Sequence, residues 1–276
     1  MKMFQRLFTA VVATACLLGA QTIAHAQTNP PSYWADVQKR GVLKCGAAIA
    51  PPYVIRDIKT GQYSGVFADL CREFGEKVLG VKVEMVDTNW DNIVAGLQSG
   101  RWDLAMALNR TPKRSLAVAY SRSAWDYEID ALYDKANPKF ATAPKSLSDI
   151  DKAGTTIAVV SGTAADQLLT AQIKKATMLR LPDTDATRLG LTSHRADIYF
   201  DDADVNAPFA ATDEKRWVAF HPNPAIAKQG IAFALRRNAD VSDLQTLDIF
   251  IENKQAIGEI AALGKTYLKA PQANAK

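Results

Sequence analysis

Histidine and cysteine are scarce in this chain, at three each among 276 residues, and that scarcity excludes much catalytic chemistry. His25, His194 and His221 stand far apart, with no carboxylate or cysteine at metal-ligand spacing, so no zinc site is expected. No EF-hand loop, P-loop, nucleophile elbow or dinucleotide fingerprint occurs either. The residues thus offer no strong catalytic constellation and call for no metal or cofactor. Runs of Lys and Arg long enough to grip a nucleic-acid backbone are also missing, so no nucleic-acid partner is expected. Beyond residue 26 no stretch is apolar enough to span a bilayer, which predicts a soluble mature protein.

The N-terminus does carry a signal. Lys2 and Arg6 precede an apolar run over residues 7–20, and Ala24-His25-Ala26 supplies a small-x-small cleavage pattern. Together these predict an exported precursor whose leader, residues 1–26, is removed before Gln27. Cys16 lies inside the apolar run behind Ala13-Thr14-Ala15, a poor match to a lipidation site. The formal charge of +4 includes Lys2 and Arg6, so the processed chain carries 31 basic against 29 acidic side chains, or +2. Two cysteines survive processing. Cys45 falls on an early predicted strand and Cys71 on the following helix, so in an oxidising compartment they can face each other in one disulfide. The alternative is a pair of buried free thiols.

Strand and helix patterns alternate from residue 42 onward. Val42–Gly46 reads as a strand, followed by a Pro51-Pro52 loop and a Lys59-Thr60-Gly61 turn. Phe67, Leu70, Cys71, Phe74 and Val78 recur at helical spacing and Gly80 ends the pattern. Residues 81–85 give a second strand, Ile93, Val94 and Leu97 a helix, and 104–108 an almost wholly apolar strand, as expected where both faces of a sheet are covered. The pattern restarts at residues 156–160, a strand running into Ser161-Gly162-Thr163 and a helix. A strand at 178–181, a helix at 184–193 and a strand at 196–200 follow, with a last strand at 231–235 and two closing amphipathic helices. This is an α/β chain with two separate strand–helix sets.

Three strand ends carry polar groups, where open α/β sheets place ligands. Arg114 follows the 104–108 strand on a short turn begun by Thr111-Pro112, and its planar fork suits a carboxylate. Taken alone, a surface arginine explains it as well. Ser161-Gly162-Thr163 starts a helix whose N–H groups and dipole attract an anion, or is an ordinary helix cap. Asp201-Asp202 follows the 196–200 strand and suits an ammonium group, or is simply solvated. Read together, the three describe a ligand built like an α-amino acid, with its carboxylate on Arg114 and Thr163 and its amine on Asp202.

Several motifs carry a resemblance. The run from Gly41 to Lys44, Pro51-Pro52-Tyr53, residues 65–70, residues 90–100 from Trp90 onward, Asp103 through Arg114 with Tyr120-Ser121, residues 160–163, and residues 195–202 all resemble the bacterial solute-binding protein family 3. The likeness implies a two-lobe type II periplasmic binding fold. Each lobe would be an open, mostly parallel sheet flanked by helices, and two crossing strands would join them. The boundaries expected are 27–124 plus 226–276 for one lobe and 125–225 for the other. The implied role is the periplasmic substrate-binding component of an ABC importer, a monomer that closes on an amino acid or analogue and docks on permease subunits.

Residue by residue, the resemblance implies Arg114 on the ligand's carboxylate and Asn109 touching the ligand. It implies Thr163 and the backbone of Ala164 as the clamp of the second lobe, Asp202 on the amine, and Trp90 and Tyr53 on the pocket wall. Ala107 stands where a serine is frequent, Ala50 replaces a stacking aromatic, Arg110 replaces an apolar residue, and Asp201 adds a second acid. These departures leave the ligand's side chain open, with a charged or non-standard ligand expected if Arg110 or Asp201 turns inward. Relatives that are cyclohexadienyl dehydratases supply an enzymatic alternative, and a ligand-sensing accessory protein is a third.

Overall fold

A computed structural model describes residues 32–269; the expected leader over residues 1–26, with its cleavage site and Cys16, lies outside the described residues. Helix α1 (Tyr33–Arg40) leads into strand β1 (Val42–Ala48), the hairpin β2 (Ile55–Arg56) and β3 (Tyr63–Ser64), helix α2 (Val66–Glu73), β4 (Lys82–Thr88), α3 (Ile93–Gln98), β5 (Leu104–Asn109), α4 (Pro112–Ser115) and β6 (Val118–Tyr120). The long strand β7 (Trp125–Asp134) carries the chain into α5 (Leu147–Ile150), β8 (Thr156–Val160), α6 (Ala164–Gln172), β9 (Thr177–Leu181), α7 (Thr184–Thr192), β10 (Ile198–Asp202), α8 (Ala203–Ala210) and β11 (Trp217–Phe220). Strand β12 (Lys228–Arg236) brings it back to α9 (Val241–Ala256) and α10 (Glu259–Lys269).

The strands run in the order β4-β1-β5-β12-β7-β10-β8-β9, with β6 on β12 and β11 on β7. The first half is parallel through β4, β1 and β5, and the second through β9, β8 and β10. This is the expected two-lobe arrangement, and the two crossing strands divide their own pairing to make it. β7 gives residues 125–128 to β12 and 129–134 to β10 and β11. β12 pairs with β7 over residues 228–231 and with β5 and β6 beyond that. At the crossing, Lys228 and Glu128 face each other in register as an ion pair at 3.0 Å. Gly230 is required here, because a Cβ would sit 1.6 Å from the Ser123 hydroxyl.

Burial follows the patterning. All six residues of β5 are buried, as a strand covered on both faces demands. Its neighbour Trp102 is fully buried between Gly46 and Gly96 and donates its indole N–H to the Ile93 carbonyl at 3.1 Å. Cys45 of β1 and Cys71 of α2 are joined as a disulfide spanning 26 positions. The helical segment predicted to end at Gly80 does so, with Gly80 at a φ of 69°, but its last turn, Phe74–Leu79, widens into a π-helix. The sequence reading passed over β7, although Trp125, Tyr127, Ile129 and Ala131 alternate with the acids Asp126, Glu128 and Asp130 at period two.

Helices α2, α9 and α10 meet in a charge network centred on the partly buried Glu73 and Lys254. Lys254 donates to Glu73 at 2.5 Å and to Glu259 at 2.7 Å, and Lys77 donates to Glu73 at 2.6 Å. Burial alone would raise the Glu73 carboxyl, but the donors from Lys254 and Lys77 outweigh it and hold it at about 2. A carboxyl depressed in the folded state contributes stability above its unfolded value of 4.5, lost as the pH falls toward about 2. Glu73→Gln is therefore expected to lower stability by about 1–2 kcal/mol at neutral pH. Urea titrations across pH should show the wild-type advantage shrinking below 4.5 and vanishing near 2.

Candidate functional site

The C-terminal ends of β5 and β10 come from opposite lobes and meet at the cleft. Asn109, the last residue of β5, donates its amide Nδ2 to both carboxylate oxygens of Asp202, the last residue of β10, at 3.2 and 3.1 Å. Asp202 is 8% exposed. Loss of water on burial, with the field of Asp201 behind it, pushes its carboxyl well above the ordinary range; the Asn109 amide acts in the opposite sense.

Arg114 reaches the same place from α4. Thr111 caps that turn by accepting the Arg114 backbone N–H at 3.2 Å, and Pro112 occupies its first position. The arginine is 5% exposed. Its Nη2 donates to the Gly162 carbonyl of the other lobe at 2.8 Å and its Nη1 to the Asn109 carbonyl at 3.5 Å, while Nε has no acceptor among the described residues. Burial lowers its proton affinity, and the neighbouring Tyr120, Tyr127 and Asp202 work against that shift. The Tyr120 hydroxyl also donates to the Asn109 carbonyl at 2.9 Å, fixing this strand end from a second side.

The facing loop is built by its own helix. Thr163 caps α6, accepting the Asp166 N–H at 3.2 Å and donating its hydroxyl to the Val160 carbonyl at 2.8 Å, so that hydroxyl is engaged in the cap. Asp166 accepts the Gly162 N–H at 3.1 Å and is itself held by Arg180 at 2.8 Å. The N–H of Ala164, the first residue of α6, has no hydrogen-bond acceptor among the described residues. Gly162 has a φ of +75°, and a Cβ there would lie 2.6 Å from the Asp91 carboxylate and 2.8 Å from the Trp90 backbone. Only glycine allows the turn and the approach together. Ser161 adds a hydroxyl donated to Asp91 at 3.0 Å.

The other expected residues divide. Tyr53 is buried and donates to Asp204 of α8 at 3.2 Å, an oxygen that also takes the Trp125 indole N–H at 2.6 Å. Trp90 is half-buried and packs against clusters belonging to both lobes. Ala107 lies in the hydrophobic core at a φ of 56°, where the β12 pairing slips between Ala232 and Ala234. Arg110 is exposed and turns away to Ser123 at 3.2 Å. Asp201 is buried, accepting the Tyr199 hydroxyl and the Asp202 N–H, and lies opposite Asp130 across the β7–β10 ladder. Burial and the nearby acids push Asp130 to about 7 against the opposing Asn206 amide. Among the described residues no His, Cys, Asp and Glu cluster could hold a metal, and no helix is long and apolar enough to cross a membrane.

Sequence reading passed over Asp91, Asp166, Asp204, Trp125 and Tyr127. Asp204 carried a signal, as the third acid of Asp201-Asp202-Ala203-Asp204. Asp91 and Asp166 carried none, since each acts on a loop remote from it in the chain or on its own cap.

Two α/β lobes joined by crossing strands, with polar strand ends facing across a cleft, define the type II periplasmic binding fold. The chain belongs to family 3 of the bacterial extracellular solute-binding proteins, whose model matches residues 43–270. It is 26% identical over 243 residues to a cyclohexadienyl dehydratase of Pseudomonas aeruginosa, covering 86% of this chain and 85% of that one. It is 33% identical over 167 residues to a probable amino-acid ABC transporter-binding protein of Haemophilus influenzae, covering 55% of this chain and 63% of that one, short of two thirds of its length. Among solved structures it resembles the ancestral amino acid-binding protein AncCDT-1, a precursor of cyclohexadienyl dehydratase, with a TM-score of 0.76 at 28% identity over 86% of this chain and all of that one.

Gly162→Ala combines a strained backbone with a collision across the cleft. It is expected to cost about 1–3 kcal/mol of stability, with a larger radius of gyration in small-angle scattering as the lobes are held apart.

Proposed function

We propose that the protein is the periplasmic substrate-binding component of an ABC importer and that it closes on an α-amino acid or close analogue. The observation that carries this reading is the apposition, across one cleft, of a buried guanidinium and a buried carboxylate at the ends of facing elements, Arg114 and Asp202. A zwitterion matches that pair. Its carboxylate takes the Arg114 Nε–H and the Ala164 N–H at the start of α6, in a turn that Thr163 shapes as the cap. Its ammonium takes Asp202, Asn109 stands between the two, and Tyr53 and Trp90 form the walls. The lobes are residues 27–124 with 226–276, and residues 125–225; closure about β7 and β12 presents a composite surface to the permease subunits. The protein acts as a monomer and without a cofactor.

Charge gives the reading a direction with pH. Asp202 holds its proton unusually firmly in the free protein, whereas pairing with an ammonium requires the carboxylate. Ligand binding therefore displaces a proton, and affinity falls as the pH is lowered through the range where Asp202 is protonated in the free protein. Calorimetric titration with amino acids in buffers of different ionisation enthalpy should register net proton release on binding. Asp202→Asn should abolish that release and weaken binding by 10-fold or more, as roughly expected for a charge-assisted contact. Arg114→Ala should weaken it further with the fold retained. If no amino acid raises the melting temperature while prephenate or arogenate is converted, the dehydratase reading replaces this one.

A further inference from the structure

Charge balance within the cleft carries the proposed amino-acid site one step further. Arg114 and Asp202 match the two charges of a zwitterionic head group and cancel with it. Asp204, two residues beyond Asp202 in the first turn of α8, has no counterpart in that match. Its Oδ2 is occupied by two neutral donors, the Tyr53 hydroxyl from one lobe at 3.2 Å and the Trp125 indole at 2.6 Å. Among the described residues no lysine, arginine or histidine forms an ion pair with it. Neutral donors orient a carboxylate without neutralising it, and the Asp204 carboxylate lies close enough to Asp202 to help raise its proton affinity.

Space adjoins Asp204. A groove of about 550 Å³ runs along Asp204, Tyr127 and Gln229 to the crossing strands and also includes Asp126 and Glu128. Its one lysine, Lys228, is already paired with Glu128 at 3.0 Å, which leaves Asp126 and Asp204 as the groove's unbalanced charges. The site also holds an independent sign of a ligand with an anionic end: the nine-tenths-buried Arg114 has an Nε–H with no acceptor among the described residues. An anion at Arg114, a cation at Asp202 and a second cation at Asp204 together describe one kind of molecule.

We infer that the ligand is a cationic α-amino acid, one whose side chain ends in an ammonium or guanidinium group, and that Asp204 is the residue selecting it. This rests on the amino-acid reading of the site. A neutral side chain would leave Asp204 facing it unbalanced in a site partly cut off from water, whereas a cationic one satisfies the free Oδ1 and the charge at once.

The test is calorimetric titration of the full chain with cationic and neutral pairs: arginine against its near-isostere citrulline, and lysine against glutamine. The wild-type protein should bind arginine or lysine roughly 10- to 100-fold more tightly than its neutral counterpart, the range of one charge-assisted contact. Asp204→Asn keeps an acceptor for Tyr53 and Trp125 and removes only the charge. It should cut that preference to less than about threefold while leaving citrulline and glutamine affinities unchanged. Equal wild-type affinity within both pairs overturns the inference and leaves the amino-acid reading standing. A parallel loss of neutral and cationic ligands in Asp204→Asn also overturns it, because Asp204 would then act only by holding Tyr53 and Trp125. Failure of every amino acid to bind overturns both.

Discussion

The ladder in which residues 125–128 of β7 pair with 228–231 of β12 is the constraint on which the rest of the architecture hangs. In the strand order it is the one link between the two parallel halves. Because each of these strands spends half its length in one lobe and half in the other, the ends of β5 and β10 are aimed at a shared gap and not at separate surfaces. Few interactions hold the crossing itself. They include the Lys228–Glu128 ion pair and the close approach of Gly230 to Ser123. A short two-stranded link between two well-buried cores is stiff along the strands and soft to twisting and bending across them. Softness to bending between the lobes is therefore a property of the topology before any ligand is considered.

What the crossing brings together is electrostatically uncomfortable. Asp202, Asp201 and Asp130 are all buried, with the last two opposite each other on adjacent strands. Carboxylates so placed lose hydration and repel one another, which is why each is driven toward the protonated form. The surrounding donors temper that cost: the Tyr199 hydroxyl on Asp201, the Asn206 amide on Asp130 and the Asn109 amide on Asp202. None of these donors is a cation. The acid layer is thus held mainly by neutral donors, with Arg188 acting on Asp201 and Arg114 on Asp202 from nearby, and a positive group entering the cleft adds to what these two supply.

Much of this was legible in the chain. The strand–helix alternation, its restart near residue 156 and the polar strand ends at Asn109, Thr163 and Asp202 follow from local patterning, because each element buries its own apolar face and ends at its own cap. Arg114 was readable as a carboxylate partner only beside the other polar strand ends and through the resemblance; as a residue type it looked like any surface arginine, and its burial comes with its contact to Gly162 of the other lobe. The same limit hid Asp91 and Asp166. Their partners, Ser161 and Gly162, are fixed by a turn whose need for glycine is visible only once Trp90 is seen pressed against it. Ala107 went the other way. Its place in a matched motif suggested the site, yet a bulge in β5 turns it into the core.

The relationship to both binding proteins and a dehydratase turns on what happens to one proton. A buried carboxylic acid that keeps its proton when the ligand arrives is a general acid, able to protonate a leaving group. The same acid facing an ammonium group must give that proton up, and is then an acceptor that binds and does no chemistry. The fold need not change between the two. In this chain burial and the field of Asp201 hold the proton on Asp202, and the Asn109 amide, which meets both Asp202 oxygens, opposes them. An amide N–H stabilises the carboxylate and not the acid, so it biases Asp202 toward the ionised form that a cation requires. Which of the two Asp202 does is then decided by what enters the cleft: a cation takes the place of the proton, and a leaving group receives it.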